Sequence, residues 1–124
     1  MHFISQEQHK VPSEHVLQLA NDADLQGLDL AGVQRIDLHF PKFSDGRAFS
    51  QAVVLRRRLR FAGELRATGD VLVDQVEQMQ RSGFDSAVLR EDQDVAVARR
   101  QLARYAGFYQ GDLQTAAPHF RRAA

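Results

Sequence analysis

The 124 residues, 44% hydrophobic and 26% charged, suit one ordinary domain that buries roughly two-thirds of its unfolded surface. That composition excludes a disordered, collagen-like or coiled-coil chain. Sixteen basic and sixteen acidic side chains cancel, which argues against a nucleic-acid coat or attachment to anionic lipid by charge.

The sequence has no cysteine, so disulfides, thiolate metal sites, iron–sulfur ligation and a Cys nucleophile are excluded, and a reducing compartment fits. No apolar stretch approaches the roughly 20 residues of a membrane span, and Glu7, His9 and Lys10 interrupt the opening segment where a signal peptide would be apolar. The expectation is a cytoplasmic protein with no membrane and no nucleic acid among its partners.

In chain order, short alternating runs are followed by helical ones, the pattern of βα units and a parallel sheet. Residues 15–19 alternate as a strand, and Asn21 or Asp22 is placed to cap a short helix carrying Leu25 and Leu28. Residues 35–40 alternate strictly and stop at Pro41. A helix follows Asp45-Gly46, with Ala48, Ala52, Leu55 and Leu59 as its buried stripe and Arg56, Arg57, Arg58 and Arg60 at its negative end. The third unit pairs residues 64–67 with a helix capped near Asp70, striped by Leu72, Val76 and Met79 and stopped by Gly83. The fourth runs from Phe84 to Leu89, then into a helix from Asp92 or Asp94 with Val95, Ala98, Leu102 and Tyr105 inward. Residues 1–110 form the expected single α/β domain, and 111–124 a loosely packed or partly disordered tail.

Strand side chains alternate between faces. Ile36, Leu38 and Phe40 therefore share one side, and Arg35, Asp37 and His39 the other, while Leu65 and Ala67 oppose Glu64 and Arg66, and Asp85 opposes Phe84. A parallel sheet covered on both faces reads as continuous apolar runs. One apolar and one charged face predicts helices on one side only, as in half of a β/α barrel with Asp37, His39 and Glu64 in a concave polar network. The alternative is a flavodoxin-like three-layer sandwich, which buries the charged face under paired ions. Open strand edges favour a homodimer or pairing with another protein.

In parallel α/β folds ligands gather where strands end and helices begin. Lys42 and Arg47 flank the loop after the second strand, and Arg66 ends the third before Thr68-Gly69-Asp70, so these three cations are the oxyanion-binding candidates. Asp45 and Asp70 read as helix N-caps or as acid/base groups. For Arg66, an internal salt bridge with Asp37 or Glu64 competes with ligand binding. Asp37 and His39 are two apart on one strand face, a spacing that can place two ligands on one metal. The five histidines are scattered, however, and no metal site is expected. No GxGxxG, GxxxxGK[ST] or GxSxG string occurs, so no cofactor is expected, no catalytic residue is assigned, and the residues leave open whether the chain is an enzyme.

Three stretches carry a resemblance: FPKFSDGRAFSQA at 40–52, GELRATGDVLVDQ at 63–75 and RSGFDSAVL at 81–89. They resemble a bacterial family of unknown function, often encoded beside the sulfite reductase haemoprotein and labelled an oxidoreductase involved in sulfite reduction. Motif positions fall on Pro41, Phe43, Asp45, Gly46, Arg47 and Ser50, then on Glu64, Leu65, Arg66, Gly69, Asp70, Asp74 and Gln75. Ala48 and Val73 depart from the family's usual glycine and basic residue. The resemblance implies a cytoplasmic accessory of assimilatory sulfur metabolism. Two functions are therefore expected. The first is an accessory or scaffold protein contacting sulfite reductase or another sulfur-assimilation enzyme. The alternative is a small oxyanion-binding enzyme acting on sulfite, sulfate or a phosphate-bearing substrate.

Overall fold

The computed structural model describes residues 1–11 and 14–109. Five strands form one fully parallel sheet: β1 (His2–Ile4), β2 (Val16–Leu19), β3 (Arg35–Phe40), β4 (Glu64–Gly69) and β5 (Ser86–Val88), in the spatial order β1-β5-β4-β3-β2. Three helices, α1 (Arg47–Arg57), α2 (Val76–Ser82) and α3 (Val95–Tyr109), follow β3, β4 and β5. The fold is thus α/β and built from βα units. The Tyr105 side chain and the expected 111–124 tail lie outside the described residues.

The register explains the layering. Leu38, Ala67 and Ala87 stand in one row and Ile36 beside Leu65 in another, and all five are fully buried. They form one cluster with Ala52 and Leu55 of α1, Val76 and Met79 of α2, and Ala98 of α3. Each buried Ile, Leu or Met contributes about 1.5–3 kcal/mol by leaving water. Phe40, Phe49 and Phe84 close one side of this core, with ring centroids 5.1 to 6.4 Å apart in edge and tilted contacts.

Val95, expected inward, is exposed at the start of α3, where only the first turn faces solvent on that side, and three expectations about strands and connections need correction. No helix forms between β2 and β3: residues 20–34 run as turns. Asp24 and Asp29 there accept the N–H groups of Gln26 and Ala31, and Gly27 and Gly32 take φ of +74° and +79°. Such side-chain turns compete with helix, and the 15 residues of 20–34 suffice for a parallel crossover without one. Leu25, Leu28 and Leu30 still pack on the core. Secondly, Asp85 is not on the charged face. It precedes β5 on the helix side, where its carboxylate meets Arg56 and the Leu65 N–H, while Phe84 turns into the core.

Thirdly, β1 adds an unforeseen edge strand, so β1 and β2 lie on opposite edges. After β1, residues 5–11 run over the charged face. There His9 and the Lys10 carbonyl meet Arg66 and Arg35.

Candidate functional site

Asp37, Arg66 and Ser86 form one row across β3, β4 and β5, with Arg35 and Glu64 paired one row below. Arg35 Nε donates to Asp37 Oδ1 at 2.8 Å and Nη2 to Oδ2 at 3.1 Å. Arg66 donates from Nε and Nη2 to Glu64 Oε2 at 3.0 and 2.9 Å, and Ser86 Oγ donates to the same oxygen. Asp37 is 1% exposed, Arg66 11% and Arg35 12%. Burial opposes ionisation of Glu64, but hydrogen bonds from Ser86 and Arg66 outweigh it and hold its pKa below the ordinary value. The face is an ionic lattice satisfied within itself.

A second cluster occupies the carboxyl ends of the strands. Asp45 pairs with Arg47 at 2.8 Å, and Asn21 Nδ2 donates to Asp45 at 2.7 Å. Arg47's side-chain hydrogen bond, then its backbone N–H, hold the Asp45 carboxyl well below the usual carboxylate range. Arg90 bridges Asp70 at 2.8 Å and Asp92 at 2.7 Å. Its hydrogen bonds draw Asp92 down to about 2 and lower Asp70, which also accepts the Phe43 N–H at 2.8 Å.

The candidates of the sequence thus fall in two places. Lys42, Asp45 and Asp70 lie in the strand-end loops and Arg47 opens α1, whereas Arg66, Asp37 and Glu64 lie on the sheet face. No hydrogen bond links Lys42, Arg47 and Arg66 to a shared group among the described residues, and the salt bridge of Arg66 is with Glu64 rather than Asp37. The cap position of α1 belongs to Gly46, with Asp45 one residue earlier accepting the Arg47 N–H. Asp70 caps no helix and instead ties the β4 end to the loop after β3; the helical turn after it starts at Val73. Asp94 does cap: it precedes α3 and accepts the Ala96 N–H at 2.8 Å.

His39 is exposed at the β3 end, while Asp37 is turned into Arg35. Among the described residues no three His, Asp or Glu side chains group to hold a metal. No described helix is long and apolar enough to cross a membrane. A cleft of about 490 Å³ opens beside the ends of β1 and β5, lined by Ile4, Gln6, Leu89, Arg90 and Gln93 among others.

Sequence reasoning put Arg35 on the charged face without its pairing to Asp37, and missed His9 and Arg90 as members of these clusters. One signal was available for the arginines. Arg35–Asp37 in β3 and Glu64–Arg66 in β4 share a two-residue spacing, which in a strand puts both side chains on one face; Asp45–Arg47 and Arg90–Asp92 have the same spacing outside the strands.

The family model described as a bacterial protein of unknown function (DUF934) matches residues 16–120. No curated protein and no solved structure matches the chain. The family match takes in β2 to β5, all three helices and both ionic clusters apart from His9, and on that extent the chain belongs to the bacterial DUF934 family.

Proposed function

We propose that this protein is an accessory or scaffold component of assimilatory sulfite reduction, working by protein–protein contact in the cytoplasm. The observation that carries this reading is the state of the cations. Arg47 is held by Asp45, Arg90 by Asp70 and Asp92, Arg66 by Glu64, and Arg35 by Asp37. A small oxyanion at these four arginines competes with carboxylates already in place. A protein surface meets such pairs as dipoles, without breaking them.

The sulfur assignment rests on the motif resemblance at 40–52, 63–75 and 81–89. Among the described residues β1 and β2 each pair on one side only, and the outer row of backbone groups supports a homodimer or a heterologous partner. Sedimentation velocity of the purified protein, alone and mixed with the sulfite reductase haemoprotein, tests this. The expected result is a species heavier than the 14.0 kDa chain and a shared boundary in the mixture. A 14.0 kDa monomer that sediments independently of the haemoprotein refutes it.

The second reading is a small enzyme or binding protein for sulfite, sulfate or a phosphate-bearing substrate, with Lys42, Arg47 and Arg66 as its cations. It draws support from Lys42, an exposed cation at a strand end. Against it, Asp45 and Asp70 are held ionised by Arg47 and Arg90, which disfavours proton donation from either near neutral pH.

A further inference from the structure

Residues 5–11 run across the ionic face, and His9 alone among them is not exposed. Three hydrogen bonds tether this segment to the sheet. Gln6 Nε2 donates to the Leu89 carbonyl at 3.1 Å, Arg35 Nη2 to the Lys10 carbonyl at 2.6 Å, and Arg66 Nη1 to His9 Nδ1 at 3.0 Å. The last bond fixes a protonation state. A guanidinium has donors only, so Nδ1 must offer a lone pair, and the proton of the neutral ring sits on Nε2, 3.8 Å from Asp37 Oδ2. Protonating His9 places an N–H and a positive charge against Arg66, turning the bond into a repulsion.

The groups facing His9 are Arg35 and Asp37 from β3 and Glu64 and Arg66 from β4. Asp37 attracts the charged ring, but its oxygens are already engaged by Arg35. Burial first, then Arg66 and Arg35, lower the His9 pKa from its ordinary value, against the opposing pull of Asp37 and Glu64.

We propose that residues 5–11 are a proton-released strap over the ionic face, covering Arg35 and Arg66 while His9 is neutral and baring them when it is charged. This inference goes beyond the scaffold reading and stands whichever partner the face takes. The sign follows from linkage: the open strap binds the proton better than the closed one. Closure is therefore strongest above the ordinary histidine value of 6.5, and the opening constant rises up to about tenfold per pH unit below it, until the closed-state pKa is reached.

Amide hydrogen exchange between pH 7.5 and 5.0, corrected for intrinsic rates, tests the strap in the full chain. The Gln8 and His9 amides, both bonded to the Ser5 carbonyl, are the reporters, and Ile36 and Leu65 in the sheet are the controls. The expected result is up to about tenfold loss of reporter protection per pH unit below 6.5, with the controls unchanged. In His9→Asn, whose Oδ1 takes the place of Nδ1 and accepts from Arg66 at every pH, reporter protection stays flat. Flat reporters in the unaltered protein overturn the proposal. So does a parallel fall in His9→Asn, or a fall shared by Ile36 and Leu65, which marks global unfolding.

Discussion

Replacing Arg56 with alanine removes the most heavily used side chain between α1 and the sheet. Its guanidinium donates to the carbonyls of Gly83 at 3.0 Å, Phe61 at 2.8 Å and Gly63 at 2.7 Å, and to the Asp85 carboxylate. It lies 5.8 Å from the Phe61 ring centroid and is 9% exposed. Burial lowers its pKa, partly offset by Asp85. Alanine takes this donor from three carbonyls and leaves the partly buried Asp85 carboxylate with the Leu65 N–H but no countercharge, where α1, α2 and β5 converge. Removing one partner of a buried ion pair costs about 3–5 kcal/mol, a large share of a domain stability of about 5–15 kcal/mol.

The expected fall in Tm is about 10–20 °C. Urea unfolding followed by circular dichroism at neutral pH measures the loss, and an unchanged m-value shows that the same surface unfolds. Arg56→Lys keeps the charge but cannot reach four acceptors, so it should lose about 1–3 kcal/mol. An Arg56→Ala protein within about 1 kcal/mol of the unaltered one, less than a buried pair costs to break, would refute this account of how the helix layer is held.

Asp37→Asn is expected to destabilise by about 3 kcal/mol in the same assay, because the largely covered Arg35 loses its buried carboxylate partner. Gly69→Ala should cost about 1–3 kcal/mol: φ is +93°, and a Cβ there meets the Phe40 carbonyl and the His39 ring. Acid should weaken the fold. Asp70, Asp92 and Glu64 have folded pKa values below their ordinary ones, so their contributions are present above those ordinary values and lost as pH falls. For Asp92 the window runs from 3.8 to about 2, and Arg90→Gln should flatten that part of a stability–pH profile.

The segment from β3 to β5 was legible because alternation, glycine and proline agreed there. Strict alternation over residues 35–40 fixed both strand and faces, and Gly83 ends α2 at φ +113°, accepting no Cβ cost. The β1 edge and the connection after β2 were not legible. β1 is three residues long, too short for periodicity to register, and it is a strand only because β5 offers it a ladder. Leu25 and Leu28 suggested a helix, but the aspartates and glycines around them form turns that keep both leucines on the core.

The ionic clusters were half visible. Arg66 with Glu64 follows from strand geometry, whereas Arg66 with His9 joins residues 57 apart through a crossing that no local pattern announces. By sequence alone Arg56 complements a helix end. Its role as a buried staple depends on Gly83, Phe61 and Gly63 converging on one guanidinium, which only the tertiary fold arranges.

The central claim, that the arginines of both clusters are committed to the protein's own carboxylates, is tested most directly by thermal unfolding in increasing sulfite, matched for ionic strength with chloride. The account predicts coincident midpoints in the two salts. A midpoint that climbs with sulfite concentration as ligand linkage requires, and stops climbing in Arg47→Ala, would contradict it.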